Sequence, residues 1–321
     1  MENQILGKVG KILAIILILI ILFLLLCCLN HRIQLKREKS FREPLGTMVN
    51  VNGNEMCIYS EGDEKDKQTL VFMSGGGTCS PILDFKSLYS LLNEDYHIVV
   101  VEKFGYGFSD VIDEERQVEN ILEDTRTALQ KVGIVPPFIL CPHSMSGIEA
   151  LHWAQTEPDE VTAIIGLDMA VPEAYQAMEI NPAQLRLIQF ASSIGGTRLI
   201  PNLAEGAAIE HGTLIEEEKD IYRAVFYNKT MNKTMVSEML QIKESAAEVA
   251  GMKIPQVPVL MFCSNGDGTG FSGSLWKEMQ TDFAEQYAAD IIYLDCPHYV
   301  HNYDYFHIAE QINNWLKYKN Q

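Results

Sequence analysis

The feature that most constrains the fold is a series of six short apolar runs, separated by segments of helical periodicity. The runs are apolar throughout, without alternation, which is typical of parallel strands covered by helices on both faces. They lie at Thr69–Met73, 96–102, 137–141, Val161–Leu167, 257–263 and 291–294. Strands that alternate with helices, as around Val118–Lys131, predict an α/β fold with a right-handed, mostly parallel sheet.

Two segments depart from this alternation. Residues 46–51 and 55–59 read as a strand pair, because Asn52-Gly53 between them is a strong hairpin turn signal. After Asp168, the next apolar strand run begins only near Pro255, and the stretch between them reads as helices at about 182–193, 216–227 and 233–249. We therefore expect a core formed by residues 46–168 and 251–321, and a helical cap formed by residues 169–250.

The N-terminal region predicts a membrane anchor. Residues 12–29 are an unbroken apolar run of 18 residues, and a helix of that length spans roughly 27 Å, close to the bilayer core. A cleaved signal peptide is the alternative, but its apolar region is shorter and ends in an Ala-x-Ala pattern, which is missing here. We expect a transmembrane segment within residues 1–29, followed by a basic linker over residues 30–45.

The orientation of the anchor is less constrained by the sequence. Five basic residues follow the apolar run within residues 30–42, which by the positive-inside rule favours a cytoplasmic domain. Lys8 and Lys11 precede the run and draw the N-terminus to the same side. The sequence leans slightly towards the cytoplasmic side and leaves the orientation open.

The charge distribution and the cysteines exclude several functions. The chain has a net charge of −18, with a basic N-terminal region and an acidic body. An acidic body repels phosphate backbones, so we expect no nucleic-acid partner. The seven cysteines form no CxxC pair and no zinc-ligand spacing. The sequence implies neither a metal nor an organic cofactor.

The segment that carries chemistry is 138–147, in which an apolar strand runs directly into a helix with Ser144 at the turn. A strained strand-to-helix turn exposes a serine hydroxyl above a sheet, next to the positive end of the helix. A serine that only caps the helix is the alternative reading. The segment resembles the Gly-x-Ser-x-Gly elbow of α/β-hydrolases, with Pro142 and Ser146 in place of the two glycines. The resemblance covers roughly residues 46–318.

The resemblance implies the partners of Ser144. The glycine-rich turn after the first parallel strand places Gly76 as an oxyanion-hole donor, and Met145 supplies the second backbone N–H. The stretch 102–110 is similar to a family fingerprint, Asp-x-x-Gly-x-Gly-x-Ser, with glutamate first. It marks the fold rather than the chemistry.

The family order of serine, acid and histidine assigns the other two groups. Asp267 follows the strand after the helical insertion and is the expected acid, and Asp168 at the end of the preceding strand is its rival. His298 follows the last strand and is the expected base, with His301 one helical turn later as the alternative.

Together these residues predict a membrane-anchored serine hydrolase that cleaves a carboxylic ester through an acyl-enzyme. The expected substrate is a small-molecule or lipid-like acyl compound, and the membrane is the expected partner of the N-terminal helix. Acyl transfer on the same fold remains an alternative, as does an inactive hydrolase fold used for binding or sensing.

Overall fold

The computed structural model describes residues 2–62 and 67–319. Within these residues the chain forms an eight-stranded sheet of order β1-β2-β4-β3-β5-β6-β7-β8. The strands are β1 (Thr47–Val51), β2 (Asn54–Glu61), β3 (Thr69–Met73), β4 (His97–Glu102), β5 (Phe138–Pro142), β6 (Val161–Leu167), β7 (Val259–Cys263) and β8 (Asp290–Tyr293). β2 runs antiparallel to both β1 and β4, and every other neighbouring pair is parallel. The predicted α/β class with a mostly parallel sheet is confirmed.

The first hairpin forms at the predicted turn. Asn52 and Gly53 have φ values of 52° and 89°. Two consecutive positive φ values are what a tight hairpin turn requires, and Asn-Gly adopts them at little cost. The turn sets the register of β1 on β2, in which Val51 lies opposite Asn54.

Helices cover both faces of the sheet. The helices of the described residues are α1 (Glu2–Arg37), α2 (Pro81–Asp84), α3 (Lys86–Tyr89), α4 (Val118–Lys131), α5 (Ser146–Thr156), α6 (Pro172–Ala177), α7 (Pro182–Ser193), α8 (Ala207–Glu210), α9 (Glu216–Lys229), α10 (Lys233–Gly251), α11 (Gly273–Tyr287), α12 (Val300–Tyr303) and α13 (Tyr305–Lys319). The buried side chains of β3 alternate between the two faces: Val71 and Met73 belong to one core cluster, and Leu70 and Phe72 to the other. A strand covered on both faces therefore reads as a continuous apolar run.

The chain between β6 and β7 is helical, and the structure describes α6 to α10 there without an intervening strand. Its longest helix, α10, packs against α5 and α6. Asn232 caps the start of α10 by accepting hydrogen bonds from the backbone N–H groups of Thr234 and Met235. We call the helical segment α6–α10 the cap.

The N-terminal helix is longer than the apolar run that predicted it. α1 continues to Arg37, and a 3₁₀ helix follows over Glu38–Arg42. The basic segment expected to be a linker is therefore largely helical, because residues 30–42 contain neither glycine nor proline and the first helix breaker is Pro44. α1 is the one helix of the described residues that is long and apolar enough to cross a membrane.

The turn after β4 is organised by a buried carboxylate. Glu102 accepts a hydrogen bond of 2.7 Å from the backbone N–H of Phe108, and burial raises its pKa to about 7. A Cβ atom at Gly107 would overlap this carboxylate, so the turn requires glycine at that position. Within the fingerprint stretch 102–110, the first residue, Glu102, therefore accepts a hydrogen bond from a later one and fixes the shape of the turn.

The helix that follows β5 passes very close to the chain that follows β6. A Cβ atom at Gly147 would overlap the carbonyl oxygen of Ala170, which belongs to the backbone and cannot rotate away. The same turn is tied by a hydrogen bond of 2.8 Å from the Ala170 N–H to the carbonyl oxygen of Ser144. Glycine at position 147 therefore allows α5 to start directly beneath the end of β5.

We expect Gly147→Ala to destabilise the protein by about 1–3 kcal/mol, the usual effect of forcing a methyl group into a packed site. The measurement is thermal unfolding of the full chain in detergent. Gly251→Ala is the matched control, because a Cβ atom at Gly251 meets nothing within 4 Å. Alanine near the end of α10 is expected to leave the midpoint unchanged or to raise it slightly. Equal midpoints for the two variants would contradict the close approach.

Candidate active site

The turn between β5 and α5 holds Ser144 in a strained conformation. Ser144 has a φ of 53°, which is uncommon for a residue with a side chain. The hydroxyl of Ser146 donates to the carbonyl oxygen of Met73 at 2.7 Å and accepts from the His143 N–H at 3.0 Å. The serine that replaces the second glycine of the elbow pattern therefore fastens the turn to β3.

Ser144 and His298 are brought together, as the sequence predicted. The Oγ atom of Ser144 lies 2.8 Å from Nε2 of His298, and Nδ1 of the same ring lies 2.5 Å from Oδ2 of Asp168. With the proton on Nδ1, the imidazole donates to the carboxylate and accepts from the serine hydroxyl. Three side chains from the ends of three segments thus form one hydrogen-bonded relay.

Asp168 is buried and held by several donors. Its Oδ1 atom accepts from the Ser264 N–H at 2.7 Å and from Nε1 of Trp276 at 2.8 Å. Its backbone has a φ of 50°, so it also departs from the strand conformation directly after β6. These donors orient the carboxylate towards His298 and leave no need for another acid at this place.

The prediction of Asp267 as the acid is not met by the geometry. The side chain of Asp267 is exposed, and the residue meets His298 through its backbone, whose carbonyl oxygen accepts from the His298 N–H at 2.9 Å. The segment around it is a turn in which the side chain of Asn265 accepts from the Asp267 N–H. Turn chemistry explains the aspartate there, and its rival Asp168 occupies the acid position.

The alternative base, His301, lies in another environment. Its Nε2 atom is 2.8 Å from Oδ2 of Asp84, and both side chains are fully buried. His301 lies on α12, and its ring packs against Phe85 at a centroid distance of 4.6 Å. His301 is therefore committed to Asp84 and is not the partner of Ser144.

The two residues predicted to form an oxyanion hole, Gly76 and Met145, lie close to Ser144. Gly76 and Met145 line the same cavity as Ser144. Among the described residues, neither N–H donates to a protein acceptor. A Cβ atom at Gly75 would lie 2.6 Å from the Cβ atom of Ser144, which is too close. The glycine at position 75 therefore allows this turn to pass next to Ser144. Gly76 and Met145 therefore lie beside Ser144 at the same cavity, as expected of oxyanion-hole donors.

His143 contacts both the ring and the backbone of the base, His298. The sequence did not predict this role. Its Nε2 atom lies 3.1 Å from the carbonyl oxygen of His298, and its ring packs on the His298 ring at 4.6 Å. Burial lowers the pKa of His143 well below its ordinary value, and His298 and His301 lower it further. A neutral imidazole with its proton on Nε2 can donate to that carbonyl and hold the loop that carries the base.

The relay opens into a largely apolar cavity of about 310 Å³. Its floor is formed by Ser144 and Met145, and its walls come from the cap. The cap contributes the apolar or aromatic residues Tyr175, Met178, Ile180, Leu185, Ile188, Met239 and Ile242, and the polar residues Glu179, Asn181 and Gln184. Polar groups are few, which is typical of a site for an apolar ligand.

A buried ion cluster ties the cap to the helix that follows Ser144. Nζ of Lys103 contacts the carboxylates of Glu149 on α5 and Glu238 on α10, and the hydroxyl of Tyr106 donates to Glu238 at 2.8 Å. Burial lowers the pKa of Lys103, but the two carboxylates outweigh that effect and leave the pKa raised. The lysine therefore stays charged, and α10 is held in register over α5.

One cluster of side chains in the described part of the chain, away from Ser144, could hold a metal ion. Glu119, His152 and Glu248 offer ligand atoms that lie within 4.8 Å of one another, on α4, α5 and α10. The three residues do not line the cavity beside Ser144. The relay of serine, histidine and aspartate needs no metal to activate the hydroxyl.

The chain belongs to the alpha/beta hydrolase fold family, because the family model matches residues 68–305. The match includes the glycine turn and all three residues of the relay. A protein of Bacillus subtilis (strain 168), YbdG, is 38% identical to this chain over 242 residues, which are 74% of each protein. That relative is described as uncharacterized.

Solved structures with the same fold come from enzymes of different names. The haloalkane dehalogenase DbeA from Bradyrhizobium elkani superposes with a TM-score of 0.64 at 18% identity, over 84% of this chain and 97% of its own. A putative lipase from Acinetobacter baumannii AYE gives 0.64 at 15% identity, over 91% and 97%. The thioesterase domain from the curacin biosynthetic pathway gives 0.58 at 16% identity, over 83% and 98%. At these identities the likeness shows the fold alone.

We expect Asp168→Asn to lower kcat on an activated ester by about 10³–10⁴-fold, because an amide cannot hold the histidine in the required tautomer. Asp267→Asn is the matched control and is expected to change kcat less than about twofold, since its side chain takes no part in the relay. Both are measured with p-nitrophenyl acetate. The opposite ranking would restore Asp267 as the acid.

The lowered pKa of His143 predicts how stability depends on pH. Below about pH 6.5, the unfolded chain binds a proton at this residue, whereas the folded chain does not, so folding loses roughly 1.4 kcal/mol per pH unit. His143→Gln keeps a donor but does not titrate. We expect the unfolding midpoint of the wild type to fall relative to that of His143→Gln between pH 7.5 and pH 5. A constant difference over this range would contradict the buried neutral state.

Proposed function

We propose that the protein is a membrane-anchored serine hydrolase that cleaves a carboxylic ester, with Ser144 as nucleophile, His298 as base and Asp168 as acid. The observation that carries the proposal is the relay itself, with 2.8 Å between the hydroxyl and the imidazole and 2.5 Å between the imidazole and the carboxylate. Distances of this kind allow proton transfer as the serine attacks.

The reaction follows from these contacts. Oγ of Ser144 attacks the substrate carbonyl carbon while its proton moves to Nε2 of His298, and the oxyanion is stabilised by the N–H groups of Gly76 and Met145. The imidazolium returns the proton to the leaving alcohol, which departs and leaves an acyl-enzyme. A water molecule then gives a proton to His298 and attacks the acyl carbon. As the bond to Oγ of Ser144 breaks, the imidazolium returns this proton to Oγ, and the carboxylic acid is released. Asp168 stabilises the imidazolium in both steps.

The cavity supports an apolar acyl group as the part of the substrate that is bound. Its lining is mostly methionine, isoleucine, leucine and tyrosine, and Glu179 is the one charged residue among the lining residues described. A carboxylate or phosphate in the acyl chain would be desolvated there without a cationic partner, which is costly. We therefore favour neutral, apolar acyl esters over charged ones.

The proposed anchor is α1. The helix carries the apolar run, its side chains there are mostly exposed, and basic residues flank it. A helix of this length and composition is stable in hydrocarbon, since every backbone group inside it is paired. Anchoring holds the hydrolase domain at a membrane surface.

A binding protein with an inactive hydrolase fold is the main competing function. Such a protein has no need for a strained serine backbone or for a buried aspartate aimed at the histidine. Backbone strain at a residue that also lies in a relay is typical of catalytic sites. The geometry at Ser144 and Asp168 therefore favours the enzyme.

We expect a fluorophosphonate probe to label the wild-type chain at Ser144, because the probe reacts with hydroxyls activated by a base. Ser144→Ala is expected to lose the label. Ser146→Ala is the matched control: its hydroxyl is committed to Met73, so labelling should persist at Ser144. The adduct is located by peptide mass spectrometry. A folded wild type that takes no label would favour the binding protein.

The same preparation separates hydrolysis from acyl transfer. With a p-nitrophenyl ester as donor, a hydrolase releases the free acid in the presence of a short-chain alcohol. An acyltransferase yields mainly the new ester. We expect the acid to be the main product, because no observation in the described residues provides a second alcohol site.

A further inference from the structure

The end of the anchor helix is fastened to the cap. Both guanidinium Nη atoms of Arg198 contact the carboxylate of Glu38, at 2.7 and 2.6 Å, and its Nε donates to Nδ1 of His31 at 3.1 Å. The guanidinium also lies over the ring of Tyr227 at 4.2 Å. A two-pronged ion pair fixes orientation as well as distance. The cap segment around Arg198 is therefore set against α1 at one position along its axis.

That position coincides with the end of the apolar run. The run ends at residue 29, and His31, which contacts Arg198, is two residues further on. At the helical rise this separation is about 3 Å along the axis. If α1 spans a bilayer, Arg198 and its neighbours lie at the boundary between acyl chains and headgroups.

The cap exposes apolar side chains beside this contact. We define the cap face by five residues of α7 and of the 3₁₀ turn Gly196–Leu199 with its continuation: Leu187, Phe190, Leu199, Ile200 and Leu203, which are 39–66% exposed. Single exposed apolar residues are ordinary, but a group within one segment indicates an interaction surface. Because the group lies next to the end of α1, the bilayer is the partner closest to it.

The charge of the segment fits a membrane surface. Residues 180–204 contain no aspartate or glutamate, although the chain has 43 acidic residues. Arg186 and Arg198 are the only charged residues in this stretch. Acidic side chains are repelled by lipid phosphates, whereas an exposed arginine such as Arg186 is attracted to them. Arg198 is already paired with Glu38. An apolar face with a cationic edge is typical of segments that lie in the membrane interface.

The cap face and the cavity beside Ser144 share helix α7. Leu187 and Phe190 point outwards from it, whereas Leu185 and Ile188 line the cavity. Ile188 is also 38% exposed, so it reaches both the cavity and the surface. One helix thus separates the site from the proposed membrane side.

We propose that the cap face lies in the headgroup boundary of the bilayer that anchors α1, and that long-chain acyl esters pass from this bilayer along α7 to Ser144. This inference rests on the proposed function and names its substrate class: esters of long acyl chains dissolved in a membrane. The apolar cavity receives the chain end that leaves the bilayer, so the acyl group is not exposed to water during transfer.

Depth in the membrane is measured without reference to activity. Leu187→Trp and the control Val135→Trp are each placed in the full chain, because both native side chains are 66% exposed. Val135 precedes β5 and so lies at the end of the sheet opposite Ser144. The proteins are reconstituted into vesicles of phosphatidylcholine with or without bromine on the acyl chains.

We expect brominated lipid to quench the added fluorescence of Leu187→Trp and to leave that of Val135→Trp unchanged. Added fluorescence at position 187 that bromine does not lower would overturn the inference. The inference would also be overturned if a second copy of the chain covered the cap face. Cross-linking in the vesicles would detect that copy.

Substrate delivery is tested with two esters. We expect Leu187→Glu to lower the rate on a long-chain ester carried in phosphatidylcholine vesicles by about tenfold, the effect of losing the burial of one leucine side chain. Its rate on p-nitrophenyl acetate in water is expected to stay at the wild-type value, since Leu187 does not line the cavity. Val135→Glu should change neither rate.

The outcomes distinguish the two proposals. If the wild type hydrolyses neither ester, the proposed function is wrong, and the fluorescence result still decides the position of the cap face. If Leu187→Glu and Val135→Glu give the same rate on the vesicle ester, membrane delivery is wrong while ester hydrolysis stands.

Discussion

The structure depends on two sharp departures from strand geometry at neighbouring positions of the sheet. Ser144 and Asp168 each lie within two residues of the end of a central strand, and both have a left-handed backbone. This conformation costs about 1–3 kcal/mol at a residue with a side chain, so the surroundings must hold it in place. They do so by a hydrogen bond from the Ala170 N–H to the Ser144 carbonyl and by the donors around Asp168. The two bends aim a hydroxyl and a carboxylate at the same imidazole.

The sequence predicted the sheet because its strands are buried on both faces and therefore read as uninterrupted apolar runs. It also predicted Ser144 and His298, because the elbow pattern and the family order of serine, acid and histidine place each shortly after such a run. It favoured the wrong aspartate because Asp168 and Asp267 both follow core strands. What separates them is the direction of one side chain, which is set by distant donors: Ser264 after β7 and Trp276 on α11. A pairing between segments about 100 residues apart leaves no local signal.

The replacements in the elbow have physical explanations that the family pattern alone does not give. Ser146 stands where glycine is usual, and its hydroxyl bonds to β3 instead of leaving space. Pro142 ends β5 opposite Met73, and the next N–H along the chain, that of His143, donates to the Met73 carbonyl. The position where a side chain would clash with a neighbouring backbone is one residue later, at Gly147. The turn therefore satisfies the same steric constraint with a different set of residues.

The cap is held by charges at two places, and the difference between them matters for access to Ser144. The cluster of Lys103 with Glu149 and Glu238 is buried, so breaking it would strand a charge in a medium of low polarity. The pair of Arg198 and Glu38 is partly exposed and joins the cap to the 3₁₀ helix after α1 instead of to the core. A partly exposed pair is weaker and is screened by salt. The ionic contacts of the cap are therefore weaker on the side of α7 and α1 than on the side of α10.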